Sequence, residues 1–214
     1  MRCRPGSVHG HARPRQRLVS TPFLAFTAKS TGLPKRILTD VEVWPAFDPD
    51  APPEPLPASV TVRALWDTGA TGSVIASSLA QDLALPRVGK GPVRHGGGED
   101  DRYRYLVNLG LPNRVAVPGV LVSDQPDNPD FQVILGMDVI TFGDFAITNT
   151  GDRTWVTFRV PSSSRTDYVV EAHARKFASV TRNQPCPCGS GEEFKMCCKP
   201  GLDRDRQEAG LAPL

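Results

Sequence analysis

The sequence of 214 residues lacks several features that define familiar protein classes. It has no apolar run of the roughly 20 residues that cross a bilayer as a helix, so we predict no membrane-spanning segment. Only 7% of its residues are aromatic, and stretches with helical periodicity are scarce, which disfavours a helical bundle. Its 25 basic and 23 acidic residues leave a net charge of +2. A balance so close to neutral predicts no nucleic-acid partner.

Cysteine is also scarce along most of the chain. Four of the five cysteines lie between positions 186 and 198, and the fifth, Cys3, stands alone near the start. A disulfide framework would distribute its cysteines through the chain. Clustered thiols instead indicate a metal site in a reducing compartment, and we therefore expect a cytoplasmic protein.

Short strands and turns make up most of what is present. The chain contains 21 prolines and 19 glycines, and the stretches "RILTDVEVW" and "ASVTVRALW" alternate apolar and polar residues with the period of a strand. The stretch "DFAITNTGDRTWVTFRV" predicts a hairpin, whereas "SVIASSLAQDLAL" predicts a short helix that stops before Pro86. This pattern predicts a mainly β domain, a small barrel or sandwich with one or two short helices.

Changes in composition divide the chain into five segments. The predicted segments are a disordered basic tail (1–21), a β domain (22–161), a connector (162–182), a cysteine module (183–201) and a polar tail (202–214).

Asp67 is the first candidate functional residue. The segment "LWDTGAT" carries this acid directly out of an apolar strand into a run of small residues that allow a second backbone or a substrate to approach closely. One interpretation is structural, because an Asp at the end of a strand often accepts a hydrogen bond from the backbone in an Asx-turn. The other is catalytic, because the carboxylate would lie at the edge of the core.

A second motif favours the catalytic interpretation. "DTGAT" and the apolar strand "ILGMD", about seventy residues later, together resemble the single-domain retropepsin family of aspartic proteases. The resemblance implies a closed β-barrel in which the two motifs lie side by side. It assigns catalysis to Asp67, a hydrogen bond across a twofold axis to Thr68, and backbone contact near the catalytic water to Gly69.

The resemblance also implies a second copy of the chain and a flap. Two neighbouring carboxylates share one proton in these enzymes. Because the sequence contains a single Asp-Thr-Gly and no Asp-Ser-Gly, the second acid would come from a homodimer partner. Gly96, Gly97 and Gly98 would supply a mobile flap over the substrate peptide. The acids that follow them are more polar than such a flap requires, so a plain flexible loop is the alternative.

The cysteine segment is the second candidate site. "CPCGSGEEFKMCC" places Cys186, Cys188, Cys197 and Cys198 at a spacing that suits one tetrahedral structural zinc ion, with two disulfides or reactive thiols as the alternative. It resembles the SEC-C motif, the zinc-binding tail of the preprotein translocase ATPase. That resemblance implies a small protein-binding module, with Lys195 and Lys199 as candidate contacts.

Two functions remain open at this point. The first is an aspartic endopeptidase that acts as a homodimer on peptide or protein substrates and uses its zinc module to recruit a partner or a substrate. The second is a catalytically silent dimer of the same fold that serves as a protein-binding adaptor through its zinc tail.

Overall fold

A computed structural model describes residues 24–163 and 165–214. The basic tail predicted over residues 1–21 lies outside the described residues, as does Cys3. In the described part, the strands are β1 (Leu24–Thr31), β2 (Ile37–Pro45), β3 (Val60–Trp66), β4 (Val74–Ala76), β5 (Arg87–His95), β6 (Gly98–Leu111), β7 (Val115–Gln125), β8 (Val133–Leu135), β9 (Asp144–Thr150) and β10 (Arg153–Val160). The helices are α1 (Ser77–Asp82), α2 (Met137–Ile140), α3 (Tyr168–Phe177) and α4 (Lys199–Glu208), with short 3-10 helices at Pro112–Arg114 and Phe194–Met196.

Six strands close into a barrel. They follow the order β2-β3-β8-β4-β7-β6, and β6 pairs with β2 to complete the ring. The apolar residues of the alternating strands point inward, so that Val41, Val62, Val107 and Val122 are buried in one core. The predicted mainly β fold with a closed barrel is confirmed.

A separate three-stranded sheet packs against this barrel. Its order is β1-β10-β9, and the β9–β10 hairpin turns at Gly151 and Asp152, as the sequence predicted. Phe26 of β1 and Phe158 of β10 are buried in the barrel's own cluster, so the two sheets share one core. The sequence analysis did not identify β1 or this sheet.

The stretch "SVIASSLAQDLAL" is only partly helical. Its first apolar residues form β4, which lies between β7 and β8 in the barrel, and α1 begins only at Ser77. The helical spacing of the apolar residues predicted a helix where β4 forms. The strand is favoured because its backbone pairs with β7 on one side and β8 on the other. None of the helices in the described ranges has the length and apolarity to cross a membrane.

The C-terminal part of the chain contains the helices α3 and α4. The segment expected as a connector, residues 162–182, contains α3. Asp167 caps this helix by accepting hydrogen bonds from the N–H groups of Val169 and Val170, both at 3.1 Å. The segment expected as a polar tail is helical as far as Glu208, because Leu202 of α4 packs into the core of the cysteine module.

Candidate active site and metal centre

The candidate catalytic turn begins where β3 ends. The N–H of Asp67 donates to the carbonyl of Leu135 at 3.0 Å, which continues the pairing of β3 with β8 past the strand. The chain then turns, with Ala70 N–H donating to the Asp67 carbonyl at 3.2 Å and Gly69 N–H donating to Asp67 Oδ1 at 2.8 Å. The last bond has the form of an Asx-turn and fixes the direction of the carboxylate.

The turn lies at the surface of the single chain. Asp67 is half-buried, whereas Thr68 and Gly69 are exposed. The three residues predicted for catalysis therefore occupy one turn, with the carboxylate at the rim of the core. A carboxylate in this position can contact a substrate or a second subunit, and its catalytic role stays a prediction.

The second motif braces this turn from behind. β8 runs parallel to β3, with Trp66 opposite Leu135, and the N–H of Met137 donates to the carbonyl of Ala70 at 2.8 Å. The two motifs lie side by side, as the resemblance implies. Gly136 makes this close approach feasible, because a Cβ there would lie 2.7 Å from the carbonyl carbon of Gly72.

Replacing Gly136 by Ala is expected to destabilise the protein by about 1–3 kcal/mol, because backbone atoms have to move to admit the methyl group. Gly89→Ala is the matched control, since nothing lies within 4 Å of a Cβ at that position. We expect the control to change the free energy of unfolding by less than about 1 kcal/mol. Urea denaturation at equal chain concentration measures both, and equal stabilities for the two variants would contradict this packing account.

An aromatic cluster supports the residue before the acid. Trp66 stacks on Phe145 with ring centroids 5.0 Å apart and contacts Phe158 at 5.2 Å, while its Nε1–H donates to Thr39 Oγ1 at 2.9 Å. Phe145 and Phe158 come from β9 and β10, so the three-stranded sheet packs directly behind the Asp67 turn. The sequence placed Trp66 at the end of an apolar strand but gave no sign of these partners.

The glycines at 96–98 lie at the tip of the hairpin that β5 and β6 form, where His95 pairs with Gly98. Gly98 has a φ of +136°, a conformation that glycine adopts without steric cost. The segment is therefore the turn of a β-hairpin. Among the hydrogen bonds and ion pairs of the described residues, none joins this tip to the Asp67 turn, and its contact with a substrate stays a prediction.

The acids that follow the tip are paired within the hairpin itself. The pairs are Arg94–Glu99 (2.6 Å), His95–Asp100 (3.1 Å), Arg102–Asp100 (2.7 Å) and Lys90–Asp101 (3.9 Å). Hydrogen bonding from His95, aided by Arg102, lowers the pKa of Asp100. The acids at the polar tip that counted against a flap therefore all have basic partners, on β5 or on β6 itself, and do not form an unpaired acidic cluster.

The four clustered cysteines converge on one point. Their Sγ atoms all lie within 4.8 Å of one another, with Cys188 and Cys197 at 3.5 Å and Cys197 and Cys198 at 3.9 Å. These distances exceed the disulfide S–S length of about 2.05 Å, and all four thiols are free. In a tetrahedral site with four Zn–S bonds the sulfur atoms lie about 3.8 Å from one another, and the two observed distances lie on either side of that value. The donor set fits one structural zinc ion.

Local backbone geometry creates this convergence. Gly189 and Gly191 adopt φ values of +82° and +81°, and the N–H of Cys186 donates to the carbonyl of Glu192 at 2.7 Å. The chain then forms the 3-10 helix Phe194–Met196, which returns the last two cysteines to the first two. The reversal at the two glycines and this helical turn together bring the four thiols to one point.

The thiols of Cys188 and Cys198 have pKa values shifted in opposite directions. Hydrogen bonding from Ser190 lowers the pKa of Cys188 to about 6. Hydrogen bonding with Cys186, together with burial, raises the pKa of Cys198 to about 12. Four thiolates at this spacing therefore need a cation, and a divalent ion supplies the opposing charge.

The cysteine site has its own small core. Phe177 of α3 stacks on Phe194 with centroids 5.4 Å apart and an interplanar angle of 11°, and both rings pack with Cys186 and Leu202. The four cysteines, α3 and α4 therefore depend on one another for burial.

The two lysines singled out as candidate partner contacts already have partners within the chain. Lys195 pairs with Glu193 at 2.6 Å and donates to Asn183 at 3.0 Å. Lys199 pairs with Asp203 at 2.9 Å, and its side chain is only 15% exposed. A partner surface centred on Lys199 would first have to break this pair.

Comparisons with known proteins agree with both motifs. Residues 58–139 match the family model described as "Aspartyl protease", and residues 182–200 match the SEC-C motif. Both resemblances found in the sequence are confirmed: residues 58–139 are similar to aspartyl proteases, and residues 182–200 are similar to the SEC-C motif.

Curated relatives match the chain over a short stretch. The protein translocase subunit SecA of Desulforudis audaxviator is 46% identical over 41 residues, 19% of this chain and 4% of that protein. SecA of Caldicellulosiruptor saccharolyticus is 38% identical over 52 residues, 24% of this chain and 6% of that protein. The chain thus spans only a small fraction of these relatives.

Solved structures of two proteases are similar to part of this chain at low sequence identity. A retropepsin-like aspartic protease from Rickettsia conorii is 11% identical with a TM-score of 0.39, covering 65% of this chain and 96% of that chain. EIAV protease complexed with an inhibitor is 23% identical with a TM-score of 0.36, covering 52% of this chain and 90% of that chain.

Proposed function

We propose that this protein is an aspartic endopeptidase that acts as a homodimer and carries a structural zinc module. The observation that supports it most directly is the position of Asp67. Its carboxylate lies at the surface rim of the barrel and accepts a hydrogen bond from the N–H of Gly69, and the backbone of its turn is bonded to the second motif.

In this mechanism Asp67 acts together with Asp67 of the partner subunit. Two carboxylates placed close together share one proton, because both cannot be ionised at low energetic cost. The ionised one removes a proton from a water molecule, whose oxygen attacks the carbonyl carbon of the peptide bond. The protonated one donates to the carbonyl oxygen, which gives a tetrahedral diol. Proton transfer to the amide nitrogen then lets the C–N bond break.

A dimer is required because one chain supplies only half of this pair. The sequence contains one Asp-Thr-Gly, and the Thr68 and Gly69 of that turn are exposed in the single chain. Both residues become buried if a second copy packs against the turn about a twofold axis. The hairpin at β5 and β6 would then cover the cleft from each side, with residues 96–98 contacting the substrate.

Dimerisation is expected to be concentration-dependent and to track activity. Sedimentation equilibrium should give twice the chain mass, and specific peptidase activity should fall on dilution through the range where the dimer dissociates. A diverse peptide library is the substrate, since the sequence identifies none. Undiminished activity from a protein that sediments as a single chain would contradict the proposal.

The four cysteines would hold zinc in a closed tetrahedral site, which contributes folding energy and no catalysis. We propose that the cysteine module extends beyond residues 183–201 to include α3 and α4, since Phe177 and Leu202 share its core. Its role would be to recruit a protein partner or a substrate to the peptidase.

A further inference from the structure

We propose that Asp138 is a positioning residue that fixes the Asp67 turn through Ser73, a role that rests on the peptidase function proposed above. Asp138 is the last residue of "ILGMD" and lies in the first turn of α2. Ser73 ends the run of small residues that follows Asp67. Neither was a predicted site residue.

The contact between them is bidentate. The N–H of Ser73 donates to Asp138 Oδ2 at 2.9 Å, and its hydroxyl donates to Asp138 Oδ1 at 2.8 Å. Ser73 is only 2% exposed, so both of its donors need a partner within the protein. An ionised carboxylate accepts at both oxygens, and for that reason it satisfies the two donors together.

Ser73 also bonds to the backbone of the second motif. Its Oγ accepts a hydrogen bond from the buried N–H of Gly136 at 3.1 Å while donating its own proton to Asp138. The serine hydroxyl thus acts as both donor and acceptor. Asp138 determines the direction of its O–H bond. The orientation of the hydroxyl in turn leaves a lone pair facing Gly136.

The turn is therefore held at three points against β8 and α2. At its start the N–H of Asp67 binds the carbonyl of Leu135, and in its middle the carbonyl of Ala70 accepts from Met137. At its end Ser73 binds Asp138. The first two are bonds between backbone atoms, whereas the third uses the side chains of Ser73 and Asp138 and can be removed by substituting either one.

Loosening the turn would lower the rate of peptide hydrolysis more than the affinity for the substrate. A misplacement of about 1 Å in a catalytic group costs on the order of 100-fold in rate. Asp138 does not reach the reacting atoms, so substrate affinity should change little. The expected signature is a lower kcat at nearly constant KM.

Three variants and a control test this role. Asp138→Leu removes both acceptors, Asp138→Asn keeps the shape and one acceptor oxygen, and Ser73→Ala removes the hydroxyl but keeps its backbone N–H. Asp130→Asn is the control, because Asp130 is a half-exposed surface carboxylate paired with Arg36.

The measurements are hydrogen exchange of amides 67–73 and steady-state kinetics on the full-length protein. We expect Asp138→Leu to exchange about tenfold or more faster there, the factor for losing a hydrogen bond to a charged group. Its kcat should fall about 100-fold, with Asp138→Asn in between and Asp130→Asn unchanged.

The proposal would be overturned if the Asp138→Leu variant showed the same hydrogen exchange at amides 67–73 and the same kcat as the wild type. If this variant does not fold, the same result in Asp138→Asn and Ser73→Ala together would overturn it. A wild-type protein that cleaves no peptide would refute the peptidase function, and exchange at 67–73 would still decide whether Asp138 fixes the turn.

Discussion

Replacing Asp67 by Asn is expected to lower peptide hydrolysis by about 10⁴-fold or more while the dimer persists. The amide keeps the shape of the side chain, and its oxygen can still accept from the N–H of Gly69. It cannot accept the proton of the attacking water. Base, acid and water positioning act as a unit in such a site, so losing one of them removes nearly the whole effect.

The dimer should survive this change because two carboxylates that compete for one proton contribute little to holding the subunits together. Sedimentation of the variant checks that point. Asp82→Asn is the matched control, since Asp82 is an exposed residue at the end of α1 and should leave hydrolysis unchanged. Cleavage by the Asp67→Asn variant at the wild-type rate would overturn the peptidase proposal. A wild type inert towards every peptide would instead favour the adaptor function.

Replacing Cys197 by Ser is expected to unfold the C-terminal module while sparing the barrel. Cys197 lies between Cys188 and Cys198, so its loss leaves three ligands and an open coordination position. Structural zinc in small modules contributes about 10–16 kcal/mol of folding free energy. The module's core consists of a few side chains around Phe177 and Phe194, too few to replace that contribution.

Two readouts test this prediction. Elemental analysis should find one zinc ion per chain in the wild type and a large loss in the variant. Hydrogen exchange should show lost protection in α3 and α4, with β3 and β8 unchanged. Cys3→Ser is the control for removing a thiol outside the cluster. A protein without bound metal that still protects α3 would contradict the structural role of zinc.

Features set by local pattern could be predicted from the sequence. Alternation identified β2 and β3, and turn chemistry at Gly151 and Asp152 identified the β9–β10 hairpin. Clustered cysteines with glycines between them predicted that four thiols lie together, because residue type and spacing are themselves local. The closure of the barrel was predicted from the family resemblance, because it depends on pairing between strands that are distant in the sequence.

Features set by tertiary contacts could not be predicted in this way. β4 is three residues long, and its strand form depends on β7 and β8 on either side. α4 is polar along most of its length and is retained by Leu202. The pairing of Ser73 with Asp138 joins residues 65 positions apart, and only the folded barrel brings them together.

Mixing of subunits tests whether one active site is built from two chains. Wild-type and Asp67→Asn chains are unfolded together, refolded in varying ratios at constant total concentration, and assayed on one peptide. If both acids are required, only dimers with two wild-type chains are active, and an equal mixture retains about a quarter of the wild-type activity. A linear dependence, with about half of the activity at equal mixing, would show that each chain hydrolyses peptides alone and would contradict the shared site.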